Sequence, residues 1–296
     1  MTDFSFEFVF ASGEKHSPKE EPSEWLLKCN ADTVADSLTV RFSAGKRLFT
    51  EEPVGAVLKK DGAVIFDGIV DEHRVKCQNG ARTEVFFLRS RAALLLDNEA
   101  APMELRLPSL RLLERMYLMP LGLHAVGGDR RPVEGVLTVE KGVSCFEALQ
   151  TFSERYLNCT PYTDKNGGVH FESYVPKTVK PDWVTAREVI FCPYKMLSGV
   201  TVQNAQTGAY SAEYHDPLAP QVRVRYLSAY AKTAPTALLN ESRRASKRLK
   251  LTCASYIDGN MGDTMRTEEL GEVRLISKNV LLRGKDVKTE LHFEPV

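Results

Sequence analysis

The chain has 296 residues, 43% of them hydrophobic and 26% charged, and its 39 Lys plus Arg balance its 39 Asp plus Glu. That length builds two or three domains with real cores, and the composition is that of an ordinary soluble globular protein. A net charge of zero supplies no global field for steering onto DNA, RNA or anionic lipid, so sequence-specific nucleic-acid binding is not expected. The opening "MTDFSFEFVFASGEK" has no basic segment followed by an apolar one, so no secretory signal is expected. No apolar run approaches the roughly 18–20 residues of a membrane helix, so no membrane span is expected either.

In chain order, "FSFEFVF" (4–10) alternates and predicts a strand, and "EKHSPKEEPSE" (14–24) is a polar loop. "WLLKCNA" and "SLTVRFS" predict two more strands, with Leu38, Val40 and Phe42 on the buried face. Asp61-Gly62 and Asn79-Gly80 each predict a two-residue hairpin turn. Between them lies one long strand in which Gly68 interrupts the alternation and predicts a bulge or bend. Long, bent antiparallel strands suggest a small barrel.

The period then changes. "LPSLRLLERMYLMPLGL" (107–123) predicts a helix that opens at Pro108-Ser109, stops at Pro120 and carries Leu110, Leu113 and Tyr117 on one stripe. Ser144 and Glu147 form a capping box, followed by the stripe Cys145, Leu149, Phe152 and Tyr156. "CTPYTDKNGGVHFESY" reads strand, turn, strand. From about residue 176 strands return, interrupted by "ALLNESRRASKRLKL", which predicts a single helix near 238–250 with Asn240 as a candidate N-cap. Gly284-Lys285-Asp286 turns a closing hairpin. The fold class is α+β, mainly β, divided as 1–95, 96–176 and 177–296.

Chemistry-bearing motifs are sparse. The six histidines are scattered, and no HExxH, GxSxG or GxGxxG occurs. "FSAGKRLF" is not a phosphate cradle, because Val40 stands where that pattern needs glycine. The six cysteines (29, 77, 145, 159, 192 and 253) form no CxxC pair, so free thiols are expected rather than zinc or disulfides. Asp67, Asp71, Glu72 and His73 fall within seven positions and could hold a metal or run acid–base chemistry. In a strand they do not all share a face, so the alternative is a set of strand polar groups. Glu213, His215 and Asp216 precede a proline, where a solvated loop is the structural alternative. Arg243, Arg244, Lys247, Arg248 and Lys250 predict a basic helix face that could touch phosphate or an acidic partner, or simply face solvent. No residue is assigned a catalytic, cofactor-binding or metal-binding role, and no cofactor is expected.

The order of the segments resembles the baseplate hub proteins of contractile phage tails, a Mu-like group that includes late-control proteins and the hub part of type VI secretion spikes. The resemblance runs from about residue 24 to 296. "SLTVRFS" precedes the hairpin "GAVLKKDGAVIFDGIVDEHRV" and then "TEVFFLRSRAALLLDNEA". "LPSLRLLERMYLMPLGL", "KGVSCFEALQTFSERYLNCTPYTDKNGGVHF" and "LGEVRLISKNVLLRGKDVKTELHFEP" follow in the family's order. Residues 1–23 and the loop 258–271 lie outside the pattern.

The resemblance implies two antiparallel β-barrel-like domains flanking an α/β insertion. It implies a structural, non-enzymatic subunit whose homotrimeric ring joins the tail tube protein to the spike protein among other baseplate proteins. Such a subunit is made in the bacterial host cytoplasm and resides in the virion tail baseplate, or in a phage-derived injection device. Two other readings stay open. A tail-associated cell-wall hydrolase would use carboxylates such as Asp67 with Asp71, or Glu213 with Asp216. A surface- or carbohydrate-binding β module would expose Trp25 or Trp183.

Overall fold

The computed structural model describes residues 3–231 and 233–296. The chain is mainly β, 45% strand and 15% helix, and divides into two compact units. Unit 1 holds residues 1–175 with 280–286, and unit 2 holds 176–279 with 287–296.

Unit 1 begins with β1 (Phe4–Val9), β2 (Lys15–His16), β3 (Glu24–Asn30), β4 (Ser37–Ala44), β5 (Gly55–Lys60), β6 (Ala63–Gln78) and β7 (Ala81–Ser90). These form one antiparallel sheet in the order β3-β4-β7-β6-β5-β1-β2. Both predicted hairpin turns form, with φ of +48° and +80° at Asp61-Gly62 and +52° and +76° at Asn79-Gly80. Two positive values identify the type I′ turn, whose twist matches the strands it joins.

β6 pairs with β5 only up to Ile69 and with β7 from Gly68 to Gln78. Register shifts fall at Ile65, on the β5 side, and at Asp71, on the β7 side. The irregularity expected at Gly68 is therefore split into two bulges that flank it. Gly68 itself solves a packing problem: a Cβ there would lie 2.3 Å from the Arg89 carbonyl oxygen and 2.5 Å from the Phe66 ring. The bend folds β1 over the sheet, so that Phe8 lies 4.8 Å from Phe86 and 6.0 Å from Phe42, ring centre to ring centre. "FSFEFVF", outside the family pattern, thus supplies the centre of the core: Phe6 and Phe8 are buried, Phe6 against the Phe42 ring and Phe8 against Phe42, Phe49 and Phe86. Among the described residues no ladder closes the sheet into a barrel.

The rest of unit 1 is α1 (Ala93–Asp97), β8 (Met103–Arg106), α2 (Leu110–Leu113), β9 (His124–Val126), β10 (Val136–Val139), α3 (Cys145–Phe152), β11 (Tyr162–Thr163) and β12 (Gly168–His170). α2 runs on as a π turn and then a 3₁₀ turn to Leu121, ending at Gly122 with φ +71°. Ser109 caps it by accepting the Leu112 N–H. In α3 the Ser144 N–H donates to Glu147 Oε2 at 2.7 Å and the Glu147 N–H to Ser144 Oγ at 3.2 Å, completing the expected capping box. Both helices bury their predicted stripes in one core, with Leu110, Leu113, Tyr117, Leu149 and Phe152 all enclosed.

Unit 2 contains β13 (Val184–Phe191), β14 (Gly199–Gln203), β15 (Tyr210–His215), β16 (Val224–Leu227), α4 (Pro235–Ala245), β17 (Lys247–Cys253), β18 (Thr264–Thr267), β19 (Gly271–Arg283) and β20 (Asp286–Pro295). The last residues of β19 and the turn after it belong to unit 1. The strand order is β13-β17-β20-β19, with β18 paired to the start of β19 inside the loop 258–271. Leu249, Leu251, Leu275, Leu291 and Phe293 fill its core.

The helix expected near 238–250 runs instead from Pro235 to Ala245, and Asn240 lies inside it. Proline at the first helical position sets the start, since its missing N–H would be unpaired there anyway. "KRLKLTC" has period two: Leu249, Leu251 and Cys253 are buried while Lys250 and Thr252 are not. That alternation makes it a strand. The expected basic helix face therefore does not exist. Only Arg243 and Arg244 are helical, and Lys247, Arg248 and Lys250 lie on β17.

Candidate functional site

The cluster on β6 is brought together by sequence and separated by partners. Asp67 accepts from Arg91 Nε at 3.0 Å. Asp71 takes a two-point contact from Arg89, 2.5 and 3.0 Å, and Arg89 also donates to Asp97 at 2.8 Å. Those two carboxylates hold the Arg89 guanidinium in its charged form, raising its pKa. Glu72 is paired with Arg74. His73 turns the other way, stacked 4.1 Å over Phe86, with Nδ1 2.6 Å from Glu52 and Nε2 3.1 Å from Glu84. Glu84 is fully buried and also accepts from Arg82 at 2.7 Å and from the Leu48 N–H at 3.2 Å. The His73 hydrogen bond holds the Glu52 carboxyl below its usual range.

Each acid of the opening cluster is thus held by a cation, and the four do not converge. Among the described residues no group of three or more His, Cys, Asp and Glu could hold a metal ion. Sequence reasoning missed the partners Glu52, Glu84, Arg89 and Arg91. Arg89 and Arg91 flank Ser90 at the end of the strand that pairs with β6, so the antiparallel register was the available signal.

The second cluster divides in the same way. Glu213 and His215 are exposed and 3.2 Å apart. Asp216 is buried and held at 2.7 and 3.0 Å by Arg243 of α4, which keeps its carboxyl below the usual range. Of the two tryptophans, Trp25 is fully enclosed and Trp183 is 76% exposed. All six cysteines are free. Among the described residues no helix is long and apolar enough to cross a membrane.

A different feature stands out on the surface. Among the described residues β13 pairs only with β17, and seven of its eight residues are exposed, including Val189 and Phe191. Among the described residues the second half of β6, beyond Val70, pairs only with β7 and, His73 apart, is likewise exposed, Val75 among it. Bare strand edges are templates for pairing with another chain, which free-standing proteins blunt or cover.

This architecture is that of a group of solved tail and secretion-spike proteins. A prophage MuSo2 43 kDa tail protein from Shewanella oneidensis matches 100% of this chain and 98% of its own at 13% identity, with a TM-score of 0.79. A tail protein from Neisseria meningitidis matches 98% of this chain and 96% of its own at 16% identity, TM-score 0.70. A type VI secretion component from Escherichia coli, described as structurally similar to the phage T4 tail proteins gp27 and gp5, matches 94% of this chain and 74% of its own at 9% identity, TM-score 0.56. No protein-family model and no curated sequence matches. At these identities the likeness is one of fold.

Proposed function

We propose that the chain is a structural subunit of a phage tail or phage-derived injection device, and within it the baseplate hub: a homotrimeric ring joining tail tube to spike. The observation that carries this is the fold match running the whole length of both chains with tail proteins, 98–100% of this chain and 96–98% of the others. The division 1–95, 96–176 and 177–296 is part of the same reading, with barrel-like outer domains that complete their closure only in the assembly. Bare strand edges in both units support it, since an assembling subunit must leave such surfaces open. The hydrolase reading is disfavoured by a specific observation: Asp67, Asp71 and Asp216 are each hydrogen-bonded by an arginine, where a working acid–base pair needs carboxylates free to meet a substrate. Particle imaging of the purified chain, alone and with its spike partner, tests the reading. Rings with threefold symmetry and six similar densities are expected, and particles that stay monomeric in both cases overturn it.

A further inference from the structure

The two bare edges sit at corresponding places in two strand sets of the same order. β3-β4-β7-β6 and β13-β17-β20-β19 are the same strand order. In each set a short strand, β5 or β18, pairs with the first half of the long strand, β6 or β19. In each a tight turn, Asn79-Gly80 or Gly284-Lys285, leads from the long strand to the next. So β6 corresponds to β19, and β13 to β3.

The end of β19 is not bare. In unit 1 it lies along β3, where the Gly284 N–H donates to the Ser23 carbonyl at 3.1 Å and Arg283 to Glu24 at 2.8 Å. The corresponding pairing, the second half of β6 with β13, is not made among the described residues. We propose that it is made between copies, the 71–78 edge of one pairing antiparallel with the Val184–Phe191 edge of the next. This rests on the trimer proposed above and says which edges meet in it. Because the two edges differ, the contact is head-to-tail, the kind that builds a ring when the rotation from copy to copy closes, as in the trimer proposed above.

The correspondence also sets the register. Matching the ladders strand by strand equates Gln78 with Arg283 and Ala186 with Glu24. The joint then sets Val75 against Val189, Lys76 against Glu188 and Cys77 against Arg187. Backbone polarity agrees. The Cys192 N–H bonds the Ser246 carbonyl, so on β13 the alternate residues Arg187 and Val189 point their amides away from β17. The two-residue turn makes Gln78 and Ala81 a bonded pair, so Cys77 and Val75 point theirs away from β7. A slip of one residue would set outward amides against inward ones. Side chains agree as well. Val75 and Val189 are 46% and 47% exposed, and Lys76 and Glu188, which form no ion pair within the described residues, become direct cross-strand partners.

The test uses the full chain. Cys77 is exposed, and facing residues of a bonded pair sit about 5.5 Å apart at Cα, within disulfide reach. Diamide, which takes up the two thiol protons and two electrons, should therefore convert Arg187→Cys to a covalent ring of about three times 33.1 kDa, and adding Cys77→Ser should abolish it. Independently, Lys76→Glu and Glu188→Lys should each weaken association roughly tenfold or more, by setting like charges face to face at every joint, and the double variant should restore it. A trimer that neither cross-links nor responds to the charge variants overturns the edge assignment and leaves the trimer standing. A chain that is monomeric at every concentration and never cross-links overturns both.

Discussion

Gly68 shows how one residue without a side chain can carry a fold. Opposite Ala56 on one side and Ser90 on the other, it sits where a carbonyl and a ring leave no room for a methyl group. Because the nearest atom is backbone, it cannot swing aside. Gly68→Ala is expected to cost about 3 kcal/mol in denaturant unfolding, at the upper end of overpacking effects; a cost below about 1 kcal/mol would mean that the bend tolerates a side chain. Asp164 is the pH-sensitive counterpart. Burial opposes its charge, but hydrogen bonds from His170 and from the Gly168 and Asn166 N–H groups outweigh it and hold the carboxyl below its ordinary value. A carboxyl with a lowered folded-state pKa binds fewer protons folded than unfolded across that interval. Its stabilisation is therefore present above the ordinary carboxylate range and lost as pH falls through the folded value. Thermal melts from pH 6 to 3 should fall less steeply in Asp164→Asn than in the parent chain, and parallel slopes would contradict this. The opening cluster was legible as a cluster, but its neutralising partners were not, because Arg89 and Arg91 reach it through strand pairing rather than along the chain.

At the scale of elements, what lay within four or five residues was legible. Both type I′ turns and the Ser144 capping box need only adjacent residues to specify them. Ser144→Ala should cost about 1 kcal/mol, the usual value of an N-cap, measured by thermal or urea unfolding. Glu147→Gln should cost less, since the amide oxygen can still accept the Ser144 N–H; equal losses would show that the carboxylate charge, not the cap geometry, matters most. Elements were misread where two periods abut. The helical run ending at Ala245 passes within two residues into the alternation of β17, and the shared basic residues hide the junction. β18 was missed because four residues, Thr264–Thr267, carry too short a pattern to separate from a loop.

At the scale of the whole molecule, the open strand edges are what the proposed assembly rests on. Among the described residues two corresponding strand sets each leave one edge unpaired, and those edges expose Val75, Val189 and Phe191, apolar side chains that a free-standing protein would cover. The threefold ring proposed above would show six similar densities, because three copies of two corresponding strand sets give six.

The sequence by itself determined the mainly β class, the change of period in the middle of the chain, the turns and caps, and the order of segments that resembles the hub proteins. Each of these is written in short-range pattern. Only the tertiary structure decided that the β6 acids are paired rather than poised, that "FSFEFVF" forms the centre of the first core, that the basic stretch divides between a helix and a strand, and that two edges remain open. These depend on strand register, which brings together residues tens of positions apart. One ladder shift would exchange every one of those partners, and nothing local in the chain records it.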